Sequence, residues 1–365
     1  MNASEEKKKP KAEKSAPSET SPPNVPQDLA ALLEGLPAKD PAEALPIVKA
    51  LIEKGPAAVA VLVEAVGPKF GDPAGVKPAY AVHGLVHYAS RPGADAERKM
   101  VAATLAKSLE TAISPDLRAF VCQQLQLCGG AEEVPALAKL LGDEHLAEPA
   151  TQALTAIGGE LSAAALRQAL TEARGKRRAT LLNALGRFRD VASAAEARKS
   201  LADADADLRT VARYALGNAG DAASADALLK AADGEPSYER TQAFDACLRL
   251  ARSLGRAGST AAAETFLRQV AEERKTAEDV SDRCALLETL CAVLGSKAVP
   301  DMLAALASAD LKYRAGAARI AVDLAASISK AEPAETKKLL AQILGATKEE
   351  SVRQAARRLL AKAGT

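Results

Sequence analysis

Seven arginines mark one position in a repeating apolar pattern. Arg118, Arg178, Arg209, Arg240, Arg283, Arg314 and Arg353 are followed three and seven residues later by Val121/Leu125, Leu181/Leu185, Ala212/Leu216, Ala243/Cys247, Leu286/Leu290, Ala317/Ala321 and Ala356/Leu360. In a helix those two positions share a face, so each segment carries an apolar stripe. The anchors stand 31 residues apart from Arg178 to Arg209 to Arg240 and from Arg283 to Arg314. A unit of that length cannot bury its stripe alone and must lean on its neighbours. One further unit, centred on Ala147 with Ala150 and Leu154 in register, lacks the arginine. The intervals of 43 and 39 residues after Arg240 and Arg314 predict longer helices or loops within single repeats.

A glycine follows several first segments (Gly129, Gly220, Gly295), where a left-handed C-cap would turn the chain back. Second segments with their own apolar pairs come next, as in Val134 to Leu141, Ala227-Leu228-Leu229 and Val299 to Leu306. Upstream helical pairs at 41–67 and 77–110 and a last helix at 348–363 complete the pattern. Trp is absent and only 3% of residues are aromatic, which disfavours a large sandwich or barrel. The expected fold is all-α, a right-handed α-solenoid of about nine hairpins over residues 27–365. Residues 1–26, rich in Lys, Ser and Pro, bury too little surface to offset chain entropy and are expected to be a disordered tail.

The motif Asp-x-x-x-Arg-x-x-Ala-x-x-x-Leu, clearest at 205–233 and 117–143, resembles the HEAT repeat. The likeness is strongest to the short bacterial HEAT-like form also found in phycobilisome-lyase-type proteins. It spans about residues 41–363. The resemblance implies an armadillo-like helical array that holds a protein or peptide partner. It also implies a ladder between repeats from Asp205/Arg209, Asp279/Arg283 and Asp310/Arg314. From spacing alone, each Asp is expected to cap its helix and to pair with the Arg four residues on. Deoxyhypusine hydroxylase, a HEAT-like enzyme, needs several His-Glu pairs for its irons, and this sequence has no His-Glu dipeptide.

The least generic stretch is Tyr80 to Tyr88. Tyr80, His83, His87 and Tyr88 are the candidate partner-binding residues, since two of the chain's three histidines fall here. His83 and His87 have the i,i+4 spacing that can share a divalent ion, yet no Glu lies between them and Gly84 interrupts; no metal and no cofactor are expected. The alternative for this face is a packing seam. Tyr214, Tyr238 and Tyr313 are interface or gap-filling residues. The cluster Arg174 to Arg178 is expected in a solvated turn, and the five cysteines as small buried hydrophobes.

Formal net charge is +1, so no global field draws the chain to nucleic acid or to an anionic membrane. No apolar run is expected to cross a membrane, and Met1 opens a polar stretch without a signal-peptide core. The expected location is cytoplasmic, or periplasmic if a signal segment has been trimmed. Together these features predict a non-catalytic scaffold that binds a partner protein or peptide along the concave face. The alternatives are a phycobilin-lyase-type array that positions a ligand and a nucleic-acid-binding array.

Overall fold

The structure is a computed structural model describing residues 25–69, 71–112, 114–233, 237–273 and 280–363. Within them the chain is all-α, with no β-strand. Helix α1 (Gln27–Leu33) precedes nine hairpins among the described residues. These are α2 (Pro41–Glu53) with α3 (Gly55–Ala65), α4 (Val76–Ala89) with α5 (Asp95–Thr111), α6 (Pro115–Cys128) with α7 (Val134–Ala138), and α8 (Ala147–Ile157) with α9 (Gly159–Leu170). There follow α10 (Gly175–Phe188) with α11 (Ala194–Lys199), α12 (Ala206–Ala219) with α13 (Ala225–Ala232), and α14 (Tyr238–Arg256) with α15 (Thr260–Glu273). The last are α16 (Val280–Leu294) with α17 (Val299–Leu306) and α18 (Leu311–Ile328) with α19 (Pro333–Ala346), after which α20 (Glu350–Ala363) closes the array. The chain divides into two compact units, residues 1–124 and 125–365. The expected tail lies outside the described residues except for Val25 and Pro26.

In the second unit the first helices of successive hairpins lie side by side: α8, α10, α12, α14, α16, α18 and α20 each pack on the next. This is solenoid packing, and the anchor-plus-three and anchor-plus-seven side chains form its seam. Leu181, Leu185, Ala212, Leu216, Ala243 and Cys247 are wholly buried, and Leu286 and Leu290 nearly so. Leu360, in the same register on α20, is only half-buried. In the first unit, α4 packs on α2 and α5, and α3 on α5. Val82, Leu85, Val86 and Ala89 carry the buried face of α4.

The long intervals are explained by long helices. Helices α14 and α18 have 19 and 18 residues, against 14 in α10 and α12. Asp205 and Asp310 cap α12 and α18 by accepting backbone N–H bonds, worth about 1 kcal/mol per helix start. Gly220 closes α12 in the left-handed region at φ 72°, as expected. Gly129 does not adopt that conformation. It is instead a close approach, where a Cβ would lie 2.6 Å from the Leu125 carbonyl oxygen and 3.0 Å from Ile157 Cδ1. The left-handed cap of α10 falls to a non-glycine, Arg189, at φ 55°.

One expectation needs correction. The stretch Val280–Leu306 is long and apolar enough to cross a membrane by composition. Its two helices, however, are separated by a turn beginning at Gly295, φ 58°, and form one hairpin of the array.

Candidate functional site

Helix α4 presents His83 and His87 on its exposed side because Val82, Leu85, Val86 and Ala89 fix the opposite side in the core. The imidazoles meet edge to face, with ring centroids 4.4 Å apart and Nε2 atoms 3.0 Å apart. Behind them Gln124 of α6, 5% exposed, places Oε1 3.1 Å from His83 Nδ1. An amide oxygen only accepts, so Nδ1 of His83 carries the proton and its Nε2 lone pair receives the N–H of His87. Both rings are exposed, and His83 also reaches the first helix of the next hairpin through Gln124. Tyr88 stands apart from them: Arg91 lies 3.7 Å above its ring, donates to its carbonyl oxygen, and is paired with Glu97. Tyr80 is 37% exposed. Gly84 sits close to α2, where a Cβ would come within 2.9 Å of Val48 Cγ2.

A second feature lies in the second unit, where α8 packs on α10 and the last turn of α6, from Leu125 on, adjoins α8 through Gln126. A groove of about 400 Å³ crosses their outer faces, lined by Gln126, Thr151, Gln152, Thr155, Thr180 and Asn183 among others. Gln126 donates to the Gln152 amide oxygen at 3.3 Å, and Asn183 is exposed. Thr151 is 3% exposed, and its hydroxyl has no hydrogen-bond partner. The repeat register carries a signal for this row. Gln152 and Asn183 occupy the same place, five residues after Ala147 and Arg178. Gln124 left no comparable signal, since 41 residues separate it from its partner His83.

The expected Asp/Arg pairs are redistributed. Asp205 caps α12, and its carbonyl oxygen accepts the Arg209 backbone N–H at 3.1 Å, but the Arg209 guanidinium does not bond its carboxylate and reaches the next hairpin. There it pairs with Glu239 through two nitrogens, while also donating to the Asp203 and Ala204 carbonyls. A bidentate carboxylate across the seam competes better than a single contact along the helix. Glu239 also takes Arg213, 4% exposed; bonds from Arg209 and then Arg213 hold its carboxyl down at about 2. Arg283 donates to Asp310 of the following hairpin at 2.9 Å and covers the Tyr313 ring at 3.8 Å. The Tyr313 and Lys312 backbone N–H groups, with Arg283, hold the Asp310 carboxyl below its ordinary range. Arg314 donates to the Ser308 carbonyl in its own preceding turn, and Arg319 takes the next crossing, to Glu349. Asp279 lies outside the described residues.

A parallel set joins second helices. Arg167 of α9 pairs with Asp190, and Arg198 of α11 with Asp221, 23 residues on in each case. The basic cluster is not a solvated turn throughout. Arg178 is 7% exposed and donates to Ser200 Oγ, the Leu170 and Glu196 carbonyls and the Glu196 carboxylate. Arg177 donates to the Gly142 carbonyl at 2.6 Å. Arg174, Lys176 and Arg177 line a polar recess with Glu144, His145 and Glu148. Of the interface tyrosines, Tyr238 is 77% exposed, whereas Tyr214 faces Arg249 at 5.2 Å. Cys122, Cys128, Cys247 and Cys291 are buried, and Cys284 is half-buried.

No protein-family model matches the chain, and no curated protein matches it. Among solved structures, an engineered protein is 19% identical, covering 93% of this chain and 99% of its own, with a TM-score of 0.39. The complex of CpcE and CpcF of phycocyanin lyase from Nostoc sp. PCC7120 is 22% identical over 65% of this chain and 92% of that one, TM-score 0.30. A mutant of Kap121p is 11% identical over 91% of this chain and 45% of that one, TM-score 0.40. At these scores the likenesses carry no argument about activity or partner.

Proposed function

We propose that the chain is a non-catalytic, HEAT-like interaction scaffold that holds an extended segment of a partner protein on the outer face of α6, α8 and α10. The observation that carries this reading is the groove there. Amide and hydroxyl side chains of Gln126, Thr151, Gln152, Thr155, Thr180 and Asn183 line it from α6, α8 and α10, the first helices of three successive hairpins. Primary amides both donate and accept, so a row of them matches the alternating N–H and C=O groups of an extended peptide whatever its side chains. The packing of α8 on α10 holds these two helices in register, so little ordering is needed there on binding.

The test is selection of peptides from a displayed random library on the immobilised full chain, followed by affinity measurement on a Gln152→Ala/Asn183→Ala variant. Selected peptides are expected to lose at least about tenfold in affinity, the loss of one or two backbone hydrogen bonds. Peptides that bind the variant as well as the parent chain would place the partner elsewhere.

A further inference from the structure

We infer that His83 and His87 form a chelate for a late first-row divalent cation, with Gln124 as the group that aims it. Two imidazole nitrogens bound to one metal at about 2.0–2.1 Å stand about 2.9 Å apart in cis positions of a square or octahedral site and about 3.3 Å apart in a tetrahedral one. The Nε2 atoms of His83 and His87 are already 3.0 Å apart. The separation therefore matches that of a cis pair on Ni²⁺ or Cu²⁺, and of Zn²⁺ after a small opening, once the His87 ring changes tautomer and turns so that both lone pairs converge on the ion.

Three features set this pair apart from two adjacent surface histidines. The first is tautomer control: the Gln124 amide oxygen, 3.1 Å from Nδ1, holds the His83 proton on that nitrogen and leaves the Nε2 lone pair free. A metal-binding histidine characteristically donates its other ring N–H to a fixed acceptor, and Gln124, nearly buried, is such an acceptor. The second is that both rings are exposed, so the remaining coordination positions open to water or to a carboxylate or imidazole from another molecule. The third is that His87 lies in the last turn of α4, where the partial negative charge of the helix end favours a cation.

Binding displaces the single proton that lies between the two Nε2 atoms. Neutral His87 keeps its proton by carrying it on Nδ1, so the ring changes tautomer and no net proton is released. That exchange is a signature which a structural hydrogen bond between the rings does not produce. This site is on α4 and is independent of the amide groove.

The experiment is titration of the untagged full chain with Ni²⁺ and, for spectroscopy, Zn²⁺. Calorimetry gives the affinity, and long-range proton–nitrogen spectra resolve the three histidines of the chain. One ion per chain is expected. His83→Gln and His87→Gln each weaken binding at least about 100-fold, His145→Gln leaves it unchanged, and Gln124→Ala weakens it about 10-fold, the usual cost of removing an outer-shell partner. Zn²⁺ moves the His87 proton from Nε2 to Nδ1. Absence of binding at millimolar metal, or binding that survives both His83→Gln and His87→Gln, overturns the site. Gln124→Ala binding as tightly as the parent chain overturns the role given to Gln124.

Discussion

Arg213 Nη2 lies 2.6 Å from Glu239 Oε2, joining α12 to the start of α14 across the seam between two hairpins. Arg213 is nearly buried, and its remaining nitrogens Nε and Nη1 have no partner. Glu239 therefore balances a charge inside the stack while also clamping Arg209 at its edge.

The pH dependence follows from that position. The Glu239 carboxyl is held at about 2 against an ordinary 4.5. A depressed folded-state value means that its stabilisation is complete above 4.5 and is lost as pH falls through about 2. Glu239→Gln is expected to lower the Tm at pH 7. In thermal melts taken from pH 7 downward, the gap to the parent chain should narrow below 4.5 and close near 2. A gap that stays constant with pH would assign the effect to shape and not to charge.

Close approach of first helices rests on glycines at one register. A Cβ on Gly217 would lie 2.9 Å from the Ala246 carbonyl oxygen and 3.2 Å from Arg249 Cβ on α14, and one on Gly186 would lie 3.0 Å from Ala215 Cα on α12. Gly217→Ala is expected to destabilise by about 1–3 kcal/mol, the usual cost of overpacking. Gly345 in α19 has open space around it, so Gly345→Ala should gain about 0.5–1 kcal/mol. Denaturant unfolding of the two variants checks both signs.

Position in the array sets the weight of a seam leucine. Leu216 is fully buried between neighbouring hairpins, whereas Leu360 on the last helix is half-buried. Leu216→Ala should cost about 2–5 kcal/mol and Leu360→Ala less than half as much. Equal losses in urea unfolding would contradict the stacking described for the second unit.

Thiol reactivity should follow burial. Burial pushes the Cys122 and Cys291 thiols up to about 12 and raises Cys284 less far. Since the thiolate is the reactive form, Ellman's reagent should label Cys284 first in the native chain. Cys122 and Cys291 should react only on unfolding. Prompt labelling of Cys122 in a folded sample would show that its helix is open.

The sequence by itself determined the hairpins, their register and their seam, because a 3.6-residue period and a 31-residue repeat are one-dimensional facts about where apolar side chains stand. Arg178, Arg209, Arg240, Arg283 and Arg314 mark the first helices α10, α12, α14, α16 and α18. What each arginine grips was decided by tertiary structure. Asp205 is four residues from Arg209 in the chain, yet Glu239, thirty residues away, offers two oxygens at the right height on the next helix. The histidine pair shows the same division. Its i,i+4 spacing was legible in the sequence, while the amide that orients His83 comes from a residue 41 positions on, brought there only by the packing of α6 beside α4. A polar contact across a seam depends on side-chain reach and on which neighbour lies opposite, and no local pattern encodes either.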